Sequence, residues 1–133
     1  MKLVFVGIAA WAVLAGCASG LNRPVQEVTA KVGLDQVQHV TVKTHSFYFE
    51  PNRIVVKRGI PVELRVKNGA LFVPHNFSCH AKDAGVEVDL PVGMFHGSKT
   101  LRFTPSQTGE YPFFCDVDAH AKKGMTGTVV VVD

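Results

Sequence analysis

From residue 37 onward, apolar and polar residues alternate in short runs that are separated by turn-forming residues. The first run, residues 37–51, is rich in valine, threonine and aromatic residues. Alternation with a period of two places every second side chain on one face, which is typical of a strand with one buried side. No convincing amphipathic-helix period appears in this region. The pattern therefore predicts strands throughout.

Seven further runs have the same character and are bounded by glycine, proline or an Asn-Gly pair. They are residues 53–59, 60–70, 72–79, 84–91, 98–105, 109–115 and 125–133. The run 84–91 is the weakest, because glycine, aspartate and proline interrupt it. Short strands at this spacing are typical of two packed sheets. We therefore predict that residues 37–133 form one all-β domain, a Greek-key β-sandwich of about seven or eight strands.

A domain of this length can bury one apolar core, and aromatic side chains contribute the most buried area to it. Six phenylalanines are placed in or beside the predicted strands. They are Phe47, Phe49, Phe72, Phe77, Phe103 and Phe113. We expect these rings to fill the space between the sheets.

The first 16 residues carry one lysine, an apolar run over residues 3–14 and then small residues. This run is shorter than the roughly 20 apolar residues of a spanning helix, so residues 1–16 are interpreted as a signal peptide. The stretch Leu14-Ala15-Gly16-Cys17 resembles a bacterial lipoprotein box, which implies lipid on Cys17. The alternative is an ordinary signal peptide cut nearby. Either interpretation predicts an exported protein, and the lipid would anchor it to a membrane in the periplasm or at the cell surface.

Residues 17–36 have mixed polarity and weak periodicity, so we interpret them as a tether with a short ordered piece near residues 25–32. The formal net charge of the chain is +3, and no basic run is longer than Lys122-Lys123. Such a weak and scattered charge does not indicate a nucleic-acid partner.

Candidate chemistry is concentrated near the C-terminus, where Cys115, His120 and Met125 follow one another at intervals of five residues. His75 stands upstream, within the run 72–79. Two imidazoles, one thiolate and one weak axial thioether are the ligand set of an electron-transfer copper site. The four side chains therefore predict a copper ion.

Three stretches resemble the cupredoxins, the plastocyanin/azurin-like blue-copper proteins. "EYPFFCDVDAHAKKGMTGTVVVV" is similar to their C-terminal copper loop, "PHNF" to their upstream ligand segment and "FYFEPNRIVVKRGIPVELRVKN" to their opening strands. The resemblance covers residues 38–133. It implies a cupredoxin-like domain that binds one type 1 copper.

The resemblance also assigns a role to each site residue. His75, Cys115, His120 and Met125 would be the copper ligands, with His120 nearest to solvent. Asn76 would tie the two ligand segments together, and its N–H would reach the thiolate sulfur. The implied function is that of a monomeric, non-enzymatic carrier that shuttles single electrons between redox proteins through Cu(II)/Cu(I), with no small-molecule substrate. The alternative is a periplasmic copper carrier or buffer that delivers the metal to another exported protein.

The remaining soft and basic residues leave several alternatives open. Cys79 is expected to be a buried free thiol; a disulfide with Cys115 would abolish the copper site, and a role in catching incoming copper is a further possibility. His80 could join Cys79 in a second weak metal site. The other expectations place His39 and His45 on an edge strand, His96 near the site opening with Met94 and Phe95, and Lys122 and Lys123 on a positive rim facing an acidic partner.

Overall fold

The computed structural model describes residues 21–133, and the predicted signal peptide and Cys17 lie outside the described residues. The described part folds into eleven strands and two single-turn 3₁₀ helices, Lys82–Ala84 and Ala121–Lys123. The strands are β1 (Glu27–Thr29), β2 (Lys31–Val32), β3 (Gln38–His45), β4 (Tyr48–Glu50), β5 (Arg53–Lys57), β6 (Val62–Asn68), β7 (His75–Ala81), β8 (Val86–Val92), β9 (Ser98–Phe103), β10 (Gly109–Phe114) and β11 (Thr126–Val132). None of the helices among residues 21–133 has the length and apolarity needed to cross a membrane.

Two sheets pack face to face. The six-stranded sheet has the order β1-β5-β11-β10-β7-β8, and the other has the order β2-β3-β6-β9, with β4 also paired to β3. In β3, β6 and β8 the buried residues alternate with exposed or half-buried ones, as a strand with one face toward the core requires. The predicted all-β sandwich is confirmed, and every predicted run contains a strand.

The strand count exceeds the predicted seven or eight for two reasons. The first run divides into β3 and β4 at Phe47, whose left-handed φ of 70° turns the chain. In addition, β1 and β2 lie inside the segment assigned to the tether. β1 pairs with β5 and β2 with β3, so the short ordered piece expected near residues 25–32 consists of two strands that pair with the sandwich. Backbone pairing compensates there for the lack of sequence periodicity.

Three of the six expected phenylalanines form the centre of the core. The Phe77 and Phe113 rings stack with centroids 4.3 Å apart, and the Phe49 ring packs edge-on against both. Phe47 and Phe103 are half-buried at the margin of the core. The prediction for Phe72 is wrong: its side chain is 70% exposed, because it lies in the loop before β7 and not in a strand.

Four loops meet at one end of the sandwich, which we call the metal end. They follow β3, β6, β8 and β10, over residues 46–47, 69–74, 93–97 and 115–125. Asn68, at the end of β6, binds two of them together. Its buried amide donates to the Val73 oxygen at 2.8 Å and to the Gly93 oxygen at 2.9 Å, and it accepts from the Ala70 N–H at 2.8 Å. These bonds satisfy backbone groups that the loops cannot pair among themselves.

Candidate metal centre

The metal end brings three of the predicted ligands together. The donor atoms of His75, Cys115 and His120 all lie within 4.8 Å of one another. Cys115 Sγ is 3.9 Å from His75 Nδ1 and 3.5 Å from His120 Nδ1. All three side chains are buried, the least so being His120 at 6% exposure. No second cluster of histidine, cysteine or acidic side chains suited to a metal occurs among residues 21–133.

The strands explain how distant residues reach one place. His75 opens β7, and Cys115 directly follows β10. These two strands are neighbours in the six-stranded sheet, where Phe114 pairs with Ser78. The imidazole and the thiol are therefore carried by adjacent paired strands, which fix their separation.

The loop between β10 and β11 supplies the other two residues. The Cys115 N–H donates to the Met125 carbonyl at 3.1 Å, and the Met125 N–H donates to the His120 carbonyl at 3.1 Å. The 3₁₀ turn between them ends at Gly124, whose φ of 92° suits glycine. Met125 is fully buried at the site. The ligand loop is thus closed by its own backbone, and Met125 has a fixed place in it.

Asn76 connects the two ligand segments. Its backbone N–H donates to Cys115 Sγ at 3.4 Å, and its side-chain oxygen accepts from the Asp116 N–H at 2.8 Å. Its amide group also donates to Ser78 Oγ at 3.0 Å and to the Asp116 carboxylate. Bonds of this kind orient metal ligands and tune the electron density at the sulfur. Sequence reasoning missed Asp116 and Ser78; the position of an acid directly after Cys115 was the available signal.

Burial controls the protonation of the ligands. Desolvation lowers the pKa of His75 to about 4, and the neighbouring His120 and His45 imidazoles add to this effect. Desolvation also lowers the pKa of His120, with a further contribution from Lys123. Both rings are therefore neutral near pH 7, which is the form that binds a metal. Burial raises the pKa of the Cys115 thiol, while hydrogen bonds from the Asn76 and Val117 N–H groups oppose this rise.

The donor set fits copper. It consists of two neutral imidazole nitrogens, one cysteine sulfur and one thioether, with no carboxylate among the ligands. Thiolate and thioether suit Cu(I), and imidazole serves both oxidation states. Burial keeps the Cys115 thiol protonated until a cation displaces the proton and binds the thiolate. His75, Cys115, His120 and Met125 therefore form a type 1 copper-like site.

His120 is the most exposed of the four ligands, as predicted, but Phe47 covers its ring. The sequence pattern placed Phe47 in the core. The Phe47 ring packs edge-on against the His120 ring, with centroids 4.9 Å apart. The ammonium of Lys123 lies 3.9 Å above the Phe47 ring centroid. A cation over an aromatic face is favourable, so Lys123 helps to hold the ring in place. Phe47 thus separates the ligand ring from water.

Cys79 and His80 do not form a second metal site. They are neighbours on β7, so their side chains point to opposite faces: Cys79 is fully buried and His80 is exposed. His80 instead pairs with Glu87 at 3.1 Å. Burial, and to a lesser extent Glu87, raise the pKa of Cys79 to about 11, which keeps the thiol protonated. In the described part of the chain, Cys79 and Cys115 are both free thiols, so the alternative of a disulfide between them is wrong.

The prediction that His39 and His45 lie on an edge strand is wrong. Both belong to β3, which has β6 on one side and β2 and β4 on the other. Nε2 of His39 lies 2.9 Å from the Asp35 carboxylate. His45 stacks on Tyr48 with ring centroids 4.4 Å apart and pairs with Glu50 at 2.9 Å. A carboxylate therefore lies beside each imidazole, Asp35 in the turn before β3 and Glu50 on β4.

The loops 69–74 and 93–97 lie beside the site, as expected for Met94, Phe95 and His96. His96 Nδ1 is 3.3 Å from the Asn68 carbonyl oxygen. The Phe95 N–H donates to the Leu71 carbonyl at 2.8 Å. Phe95 and His96 both have left-handed φ values, 57° and 58°, which costs of order 1–3 kcal/mol for each residue. Hydrogen bonds between the two loops hold this turn.

A β-sandwich with two histidines, a cysteine and a methionine at one end has the architecture and the ligand set of the type 1, or blue, copper proteins. The family model of the cupredoxin-like domain matches residues 4–131, and the chain belongs to that family. No curated protein matches the sequence.

Solved structures share the fold at low sequence identity. The metal-binding domain of the Cu(I) exporting P-type ATPase CopA of Streptococcus pneumoniae D39 superposes with a TM-score of 0.66 and 21% identity, covering 84% of this chain and 100% of that one. Auracyanin of Roseiflexus castenholzii superposes with a TM-score of 0.60 and 20% identity, covering 71% of this chain and 97% of that one. Reduced rusticyanin superposes with a TM-score of 0.60 and 21% identity, covering 80% of this chain and 84% of that one. Auracyanin A of Chloroflexus aurantiacus, a "blue" copper protein, superposes with a TM-score of 0.60 and 18% identity, covering 72% of this chain and 99% of that one.

Proposed function

We propose that this protein is an exported, membrane-tethered electron carrier that moves single electrons between redox partners. Copper bound by His75, Cys115, His120 and Met125 supplies a one-electron couple between Cu(II) and Cu(I). The protein transforms no substrate in this proposal and is not an enzyme. The tether is the lipid predicted on Cys17, which would raise the concentration of the carrier near membrane oxidoreductases.

The carrying observation is that the ligands are buried and held in place by paired strands and by backbone hydrogen bonds. His75 and Cys115 lie on adjacent strands, and backbone bonds join Met125 to both Cys115 and His120. A site that keeps one geometry in both oxidation states lowers the rearrangement that accompanies each electron transfer. A site that releases its metal on each cycle needs ligands that open readily. The geometry therefore favours electron transfer.

A copper carrier or buffer is the second candidate function. It is favoured by the structural similarity to the metal-binding domain of a Cu(I) exporting ATPase, a domain whose structure contains Cu(I). The same four ligands would bind copper in either case. Retention of the metal distinguishes the two functions, because a carrier must release copper to its recipient and an electron carrier must keep it.

The test is repeated reduction and reoxidation of the copper-loaded protein in the presence of a Cu(I) chelator, followed by visible spectroscopy. We expect an intense thiolate-to-copper band that bleaches and returns over many cycles with the copper retained. Cys115→Ser removes the band, while Cys79→Ser, which alters a buried thiol outside the site, keeps it. Loss of copper to the chelator during the first cycles would instead support the copper carrier, and absence of the band from the unsubstituted protein would refute the electron carrier.

A further inference from the structure

The metal end carries a cluster of exposed apolar side chains. We call it the apolar patch; it consists of Leu71, Phe72, Met94 and Phe95, with exposures of 44%, 70%, 45% and 65%. The Phe72 and Phe95 rings contact each other edge-on with centroids 6.0 Å apart. Scattered single apolar residues are normal on a surface, but a contiguous group indicates a binding surface.

The patch is built rigidly. Asn68 links the two loops that carry it, and the Phe95 N–H donates to the Leu71 carbonyl at 2.8 Å. Phe95 itself stands at a left-handed φ, a conformation that an aromatic residue seldom adopts. The fold therefore maintains an unfavourable backbone turn while it exposes an aromatic ring to solvent. Core packing does not explain this arrangement, because the ring contributes little buried area.

The N-terminal segment enters the domain at the same end. Asn52, just before β5, bonds to the Gln26 N–H at 2.8 Å and to the Pro24 carbonyl at 3.2 Å. The Arg23 guanidinium lies 3.6 Å above the Tyr48 ring centroid. Tyr48 in turn stacks on His45 at the end of β3. Residues 23–26 are thus attached at the metal end. The described part of the chain starts just before them, at residue 21.

The length of the remaining tether limits how the domain can stand on a membrane. Five residues lie between Cys17 and Arg23 in the sequence, and the six Cα–Cα steps that join the two reach at most about 21 Å when fully extended. The eight residues of β3 run along the sandwich and span about 26 Å. With Cys17 in the membrane, the opposite end of the domain cannot turn toward the bilayer, because the tether is shorter than the domain. The metal end is then the end that faces the lipid.

We propose, resting on the lipid tether proposed above, that the apolar patch docks on the phospholipid surface, so that the copper site faces the membrane in which the carrier is anchored. Two more exposed apolar side chains, Leu21 and Val25, lie on the tether itself, with exposures of 56% and 70%. Arg23, Lys122 and Lys123 supply positive charge at this end toward anionic headgroups, and Asp116 and Asp118 offset part of it. In this orientation the carrier exchanges electrons with partners embedded in the same membrane.

The test measures which end of the domain contacts acyl chains. The mature full-length protein is purified from membranes in its copper-loaded, reduced form, and its intact mass shows whether Cys17 carries lipid. It is then incorporated into vesicles of phosphatidylethanolamine and phosphatidylglycerol, with or without brominated acyl chains. Phe95→Trp reports from the apolar patch, and Leu34→Trp, a fully exposed position in the turn before β3 at the opposite end, is the matched control. The single tryptophan of the sequence, Trp11, lies in the predicted signal peptide, so each variant of the mature protein carries only the introduced tryptophan, and the unsubstituted mature protein gives the background emission.

We expect brominated lipid to lower the emission of Phe95→Trp at least about twofold and to leave that of Leu34→Trp unchanged. A lipidated protein in which neither tryptophan, or only the control, is quenched would overturn the docking while leaving the tether intact. A mass without lipid would remove the tether, and quenching confined to Phe95→Trp would then still support docking of the patch itself. If Phe95→Trp responds to added membrane proteins but not to lipid, the patch binds a protein partner and the proposal is wrong.

Discussion

Replacement of Asn76 by alanine tests whether the copper ligands are preorganised by the protein. The Asn76 side chain makes three bonds: one with the Asp116 N–H, one with Ser78 Oγ and one with the Asp116 carboxylate. The first two are worth about 1 kcal/mol each and the charge-assisted one about 1.5 kcal/mol. Asp116 is exposed, so water recovers part of this loss. We expect Asn76→Ala to lower the free energy of unfolding of the copper-free protein by about 2 kcal/mol.

Urea denaturation of the copper-free protein measures this change, and the slope with denaturant should stay the same because the fold is unchanged. Gln107→Ala is the matched control: that exposed amide makes a single bond, to the Asp83 carbonyl at 3.0 Å, and its removal should cost less than about 0.5 kcal/mol. The backbone N–H that reaches Cys115 Sγ remains in Asn76→Ala, so the thiolate-to-copper band should persist. If Asn76→Ala were as stable as the control variant, the site would not be held by this network, and the preorganisation inferred for electron transfer would be refuted.

Three further predictions concern packing, pH and access to the site. Gly127→Ala should destabilise the protein by about 1–3 kcal/mol in denaturant titrations, because a Cβ there would overlap the Phe113 ring. Gly93→Ala is the control and should be neutral, because a Cβ there meets open space. Equal effects of the two substitutions on stability would contradict this packing. The free energy of unfolding of the copper-free protein should fall as the pH drops from about 6.5 toward 4, because the pKa of His75 is lowered in the folded state and the unfolded chain binds the proton more readily. A His75→Gln variant should show a flatter dependence of stability on pH. If its dependence equalled that of the unsubstituted protein, the assignment of this effect to His75 would be refuted. Phe47→Ala should speed the removal of Cu(I) by a chelator, because it uncovers His120, whereas Phe72→Ala should not; equal rates in stopped-flow measurements would show that Phe47 is no barrier.

The ligand positions were predictable from sequence because the chemistry requires particular side chains in a particular order. Cys115, His120 and Met125 lie within one loop, so their spacing is visible in the sequence itself. The strands were predictable for a similar reason, since alternation in β3, β6 and β8 directly reflects one buried face. Local patterns of this kind are read without knowing what packs against them.

Other features depend on contacts between distant segments. Phe47, Phe49 and Phe72 have the same side chain, yet Phe49 is buried in the core, Phe47 covers His120 and Phe72 faces solvent. β1 lacks periodicity of its own, and its pairing with β5 arises only when the sandwich forms. The bonds between Asn76 and Asp116 join residues 40 positions apart. Such pairings leave no periodic trace in the chain.

The amino-acid sequence by itself determined the all-β class, the strand positions from residue 38 onward and the four candidate copper ligands, because periodicity and ligand chemistry are properties of the residues. Tertiary structure alone decided that the metal end gathers Phe47 over His120, the apolar patch and the entry of the N-terminal segment. The physical reason is that each of these depends on which loops meet in space. That meeting is set by strand pairing and by the closure of the two sheets around one core.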